Sequence, residues 1–156
     1  MTGLFCFDGP LFKDKDGEYC STTLTNEMFN RFFSVVDKLV LVIRCINTNK
    51  TSNELNMKRL DTSRIEIITV DNLVSIKGLL VKKKAFEKKI ESRIKRVDLI
   101  FARMPSVISD SVLKIAQKLG KPYLVEVGGC AWDSYWNHGL KGKIVAPLMF
   151  FWERKY

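Results

Sequence analysis

The 156 residues are 46% hydrophobic and carry a formal net charge of +9, enough apolar content for one folded domain and an excess of base that favours an anionic partner such as nucleic acid, membrane lipid or a phosphorylated substrate. Four cysteines, Cys6, Cys20, Cys45 and Cys130, show no CxxC spacing, and neither a leader nor an apolar run near the roughly 18 residues of a membrane span is present. Disorder, a disulfide scaffold, structural zinc and an integral membrane protein are set aside, and a cytoplasmic chain with reduced thiols, packed as small hydrophobes, is expected.

Residues 4–7 read as a short strand broken by the turn Asp8-Gly9-Pro10, and Asp16-Gly17 marks a second turn in the polar stretch that follows. Leu24, Met28, Phe29, Phe32, Phe33 and Val36 recur as one helical face, with Ser21 or Thr22 as its cap. The run 38–45, with LVLVI at its centre, is too continuously apolar for a half-exposed strand and predicts burial on both faces. A hydrophilic loop over 47–60, an alternating strand over 64–70 and a loop or short helix over 71–80 come next.

Charge concentrates in the following segment. Lys82, Lys83, Lys84, Lys88, Lys89, Arg93, Lys95 and Arg96 face only Glu87 and Glu91, while Phe86, Ile90, Ile94 and Val97 recur at helical spacing. The result is a basic amphipathic helix with a narrow apolar stripe. It can be a solvated helix docked on the sheet by that stripe, or Lys82, Lys83, Lys84, Lys88, Lys89 and Arg93 can lie against an anionic membrane surface. Nucleic acid is the least supported partner, because no single-strand platform, zinc finger or helix-turn-helix signature is present.

Residues 97–102 form a β-branched strand led by Asp98, and 107–119 an amphipathic helix that stops at Gly120-Lys121-Pro122. Residues 123–127 form a second strand, parallel to the first because the helix is long enough for a crossover. The glycine-rich loop 128–139 then leaves the carboxyl end of the sheet, where open α/β sheets bind ligands. The alternation predicts an α/β, Rossmann-like fold with a mainly parallel sheet and helices on both faces. With no GxGxxG after a strand and no Walker A loop, no cofactor is expected. Residues 143–156 hold Ile144, Val145, Leu148, Met149, Phe150, Phe151 and Trp152, an apolar surface that no later element covers, so a chain that is half of a larger whole is expected.

Three stretches, FDGPLFKDKDGEYCSTTLTNE, DLIFARMPS and KPYLVEVGGCAWDSYWNHGLKGKIVAP, together resemble the amino-terminal domain of GT-B glycosyltransferases of the large retaining group called family 4, especially those of bacterial capsule and cell-surface polysaccharide synthesis. The resemblance covers nearly the whole of residues 1–156, read as a single domain that is the amino-terminal half of a GT-B fold. It implies a hexosyltransferase in which this domain holds a lipid-linked or polysaccharide acceptor. A carboxyl-terminal half, absent here, would hold the nucleotide-sugar donor, leaving this chain inactive alone and peripheral at the inner face of the cytoplasmic membrane. Gly128-Gly129 stands where many relatives carry His-Gly, so the catalytic histidine does not carry over. Asp133 and His138 are the candidate catalytic residues in its place, Asn137 can contact sugar hydroxyls, and Trp132 and Trp136 can stack on a sugar face. Core or interface packing for the tryptophans and a turn cap for His138 are the ordinary alternatives. Gly9 supplies flexibility where relatives have a glycine pair, and Lys13 and Lys15 either meet a phosphate or are loop surface. Arg103, at the carboxyl end of its strand, is an anion or sugar ligand or else a salt-bridge partner, with Glu126 as the expected mate. The competing reading is a non-catalytic Rossmann-like module that docks through its carboxyl-terminal helix.

Overall fold

The computed structural model describes residues 1–71, 73, 82–137 and 139–154. Strands β1 (Thr2–Lys13), β3 (Lys38–Asn47), β5 (Ile65–Val70), β6 (Leu99–Met104) and β7 (Tyr123–Val127) pair in parallel in the order β7-β6-β1-β3-β5. Two short strands, β2 (Tyr19–Ser21) and β4 (Lys58–Arg59), extend the end of β1 antiparallel, so the seven-stranded sheet is mixed. From β1 the chain moves outward through β3 and β5, then returns to the other side of β1 for β6 and β7. That reversal puts a switch point between the carboxyl ends of β1 and β6, the usual crevice of an open α/β sheet.

The alternation of each strand sorts its side chains into two cores. Val40, Val42, Ile100 and Ala102 face one layer, where α2 (Lys83–Ile94) brings Ile90 and Ile94 and α3 (Val107–Lys118) brings Ile108, Val112 and Ala116. Phe5, Leu39, Leu41, Ile43 and Phe101 face the other, covered by α1 (Asn26–Asn30) and a single 3₁₀ turn, Phe32–Ser34. Phe32 anchors that side with its ring 4.4 Å from Phe101 and 5.6 Å from Phe5. The α/β class, the mainly parallel sheet, the helices on both faces and the double burial of β3 are as the residue pattern predicts. Of the readings left open for the basic helix, its apolar stripe is docked on the sheet: Phe86, Ile90, Ile94 and Val97 all pack into the first core.

Several boundaries differ, each for a tertiary reason. Asp8-Gly9-Pro10 does not end β1. The partner strand β3 continues to Asn47, so β1 arches between Phe7 and Leu11 and rejoins the ladder at Leu11↔Cys45. The first helix is capped by Thr25, not by Ser21 or Thr22, and lasts five residues; the Ser21 hydroxyl instead accepts from the amides of Thr23 and Leu24, both at 3.2 Å. The hydrophilic loop 47–60 contains β4, and the strand expected over 97–102 starts later because Val97 is buried at the end of α2. Loop 128–139 holds a helix, α4 (Ala131–Trp136), and α5 (Gly139–Glu153) begins before the apolar run expected to mark it. Cys6 and Cys20 are buried as expected, but Cys45 is half-buried and Cys130 exposed. The reading of 71–80 falls, apart from Asp71 and Leu73, outside the described residues.

Gly120 ends α3 with φ +64°, a conformation that costs a residue with a Cβ about 1 kcal/mol. Gly120→Ala, which meets no atom within 4 Å, is therefore expected to lower the melting temperature by about 3 °C through backbone strain alone. Calorimetry showing no change would place α3's stop elsewhere.

Candidate functional site

The switch point is organised by Asp8. From the β1 arch its Oδ2 accepts from the Val107 amide at 2.5 Å and its Oδ1 from the Ile108 amide at 3.2 Å. The carboxylate thus sits on the amino terminus of α3, where free amides and the helix dipole favour negative charge. Ser106 completes the cap by accepting from Ser109 at 3.0 Å, and the Ser109 hydroxyl lies 2.8 Å from the Cys6 carbonyl and 2.9 Å from that of Arg103, tying β1 to β6. Burial pushes the Asp8 carboxyl above its ordinary range, against the opposing pull of those amides, Ser106 and Arg44. Beside it, burial pushes the Cys6 thiol up to about 12, which makes it an inert packing group.

On the α1 face of the same sheet end, three of the expected site residues meet. The Arg103 guanidinium lies 5.3 Å from the Phe7 ring centroid, with Nη1 3.7 Å from the Met28 sulfur. A Cβ on Gly9 would stand 2.3 Å from that same Phe7 ring, and one on Gly128 3.0 Å from Arg103 Nε. Both glycines therefore leave space for the Phe7–Arg103 stack. Gly128 also extends the β6–β7 ladder by donating to the Met104 carbonyl at 2.8 Å. The guanidinium thus rests on an aromatic face, with no carboxylate within salt-bridge distance among the described residues.

The expected Arg103–Glu126 pair does not form, although the two are ladder partners. Glu126 is taken by Arg31 of the α1 region, whose Nη2 reaches its two oxygens at 2.8 and 2.6 Å. Periodicity along one strand cannot show which basic residue a covering helix lowers onto it. Phe7, Met28 and Arg31 were missed for that reason; the one usable signal was an aromatic residue immediately before the Asp8-Gly9-Pro10 arch.

The other expected residues lie on the α4–α5 hairpin. Trp132 and Trp136 stack on each other at 4.8 Å and 17°, and Trp132 meets Phe150 edge-on at 5.9 Å. Each ring thus spends one face inside the hairpin, while Trp136 keeps an exposed edge near Lys143. Asp133 is exposed, and its carbonyl accepts from the Asn137 side chain at 3.2 Å. Gly129 is exposed in the turn before α4, and His138 lies outside the described residues. Of the basic residues, Lys82 pairs with Asp71, Lys83 with Asp110 and Arg93 with Glu66, whereas Lys84, Lys88 and Lys89 are exposed. Among the described residues there is no group of three or more His, Cys, Asp or Glu placed to hold a metal ion, and no helix long and apolar enough to cross a membrane.

No protein-family profile matches the chain. It is 32% identical over 155 residues to Protein CapJ of Staphylococcus aureus, an alignment that takes in 99% of this chain and 39% of that protein. Among solved structures it is similar to the C-terminal domain of a hydrogenase from Pyrococcus furiosus, with 9% identity, a TM-score of 0.39, and coverage of 80% of this chain and 91% of that one. A likeness that weak carries no argument about fold or activity.

Proposed function

We propose that this chain is a Rossmann-like, acceptor-holding portion of a retaining GT-B glycosyltransferase serving capsule or cell-surface polysaccharide synthesis. The observation that carries the reading is the end-to-end similarity to Protein CapJ, of whose length the chain spans 39%. The Arg103 cluster at the sheet's carboxyl end supports it: an aromatic-backed guanidinium between two glycines suits a polar, ring-shaped ligand. In this scheme the chain orients the acceptor hydroxyl through Arg103 and the backbone around Gly9 and Gly128. A further part of the enzyme holds the nucleotide-sugar, and transfer proceeds without a metal once both are within reacting distance. Asp133, Asn137 and the exposed edge of Trp136 would border the acceptor from the hairpin, and Lys84, Lys88 and Lys89 would face the anionic membrane where such acceptors reside.

Deleting the gene from its source strain is expected to abolish or shorten the surface polysaccharide, with recovery on complementation by the unaltered gene. Surface polysaccharide of unchanged amount and chain length in the deletion strain would overturn the proposal.

A further inference from the structure

On the opposite side of β1 from Arg103, the sheet's carboxyl end holds a second feature, which brings Lys13 together with Arg44. Strand β3 runs three residues past its last partner in β5, Arg44↔Val70, so the edge of Cys45–Ile46–Asn47 is left beside a cleft. The cleft has a volume of about 520 Å³ and is lined by Lys13, Tyr19, Arg44, Asn47, Thr69 and Asp71, among others. Its far wall is fixed by the hairpin from β1 to β2. There the buried Asp14 carboxylate accepts from the amides of Asp16 and Glu18 at 2.9 and 3.0 Å and from Ser52 at 3.3 Å, locking the loop that carries Lys13 and Tyr19.

Two cations face this space. The Arg44 Nε is buried and has no hydrogen-bond partner, an arrangement that native proteins rarely leave unanswered. Lys13, directly across the ladder from Asn47, has its Nζ 5.6 Å from the Tyr19 ring centroid and no carboxylate within salt-bridge distance among the described residues. The acids nearby are committed elsewhere: Asp71 bonds Lys82 at 2.7 Å, and Asp8, which Arg44 attracts, bonds the first amides of α3.

We infer that the Lys13–Arg44 cleft binds a phosphate ester, with Arg44 and Lys13 on the phosphoryl oxygens and Asn47, Thr69 and Tyr19 beside the group that carries it. A tetrahedral oxyanion offers several acceptors to a guanidinium fork and an ammonium at once. The volume lies within the range of small-molecule sites and exceeds what bare phosphate needs, so the organic part of the ester contributes contacts of its own. The site stands whether or not the chain takes part in glycosyl transfer, and its test reads binding alone.

Calorimetric titration of the chain with a hexose 1-phosphate is expected to show saturable binding at least tenfold tighter than that of inorganic phosphate, a gap of about 1.4 kcal/mol. Lys13→Gln should weaken it about fivefold and Arg44→Gln more than tenfold, with Arg44→Lys in between, because a charge-assisted hydrogen bond is lost at each. Lys38→Gln, a charge change at the exposed amino end of β3, should leave it within about twofold. Absence of saturable binding by the unaltered chain would overturn the inference. So would equal affinity for inorganic phosphate, or equal weakening by Lys13→Gln and Lys38→Gln, which would reveal a response to bulk charge. Since Arg44 is half-buried and its variants can unfold, circular dichroism accompanies each titration and the Lys13 comparison decides the matter independently.

Discussion

Asp8→Ala is expected to destabilise the protein by about 2–3 kcal/mol, because it strands the Val107 and Ile108 amides at a partly buried helix terminus. In a chain of this size that lowers the melting temperature by roughly 6–9 °C. The pH dependence has a definite sign. Burial holds the folded-state pKa of Asp8 above its ordinary value, so between the two values the folded chain binds a proton that the unfolded chain releases. Stability from this group therefore rises as pH falls through that window and is fully present below the unfolded value. The penalty of Asp8→Ala, measured by denaturant titration, should be larger near pH 4 than near pH 7. A penalty that shrinks on acidification would show that the ionised carboxylate is the form the fold prefers, and would assign α3's cap to charge rather than to hydrogen bonding.

In the acceptor-binding role proposed for it, Arg103→Ala is expected to reduce sugar transfer about 10- to 100-fold in membranes of the complemented deletion strain, as the loss of one or two charge-assisted hydrogen bonds to the acceptor would. Its structural cost is small, because the guanidinium is held by the Phe7 face and the Met28 sulfur and not by a buried ion pair. Arg103→Lys keeps the charge but loses the planar stack, so it should recover part of the activity and less than half of the deficit in free energy. Gly9→Ala supplies a second line of attack: its methyl group must displace the Phe7 ring, and with it Arg103, without touching the guanidinium. Unchanged transfer by Arg103→Ala in a folded protein would remove this cluster from the acceptor site and turn attention to the α4–α5 hairpin.

How much of this was legible beforehand depended on the range of the interaction. The span of β7, Tyr123–Val127, and the stop of α3 were readable because apolar periodicity and Gly120 act within a turn or two of the chain, whereas the Ser106 cap was not read. The candidate site was legible only as a location. Arg103 was singled out from its strand end and Gly9 and Gly128 from the resemblance to the glycosyltransferases, and they do converge, but what joins them is Phe7 in β1 and Met28 in α1, which neither spacing nor composition connects to Arg103. The tryptophans illustrate the same limit: with 128–139 read as a loop, neither their i, i+4 adjacency on α4 nor the loss of their faces to each other and to Phe150 was legible, because both follow from how α4 and α5 fold together.

By itself, the amino-acid sequence determined the α/β alternation, the parallel sense of the last two strands and the existence of an apolar stripe on α2, since hydrophobic period and helix punctuation are local properties. Tertiary structure decided that β1 runs through its arch, because an adjacent strand offered ladder partners beyond it. It also gave Glu126 to Arg31, left Arg103 on an aromatic face, and opened the cleft at Arg44 where β5 ends before β3. Those outcomes turn on which side chains separate strands and helices bring within a few ångströms of one another, and no pattern along a single segment contains that information.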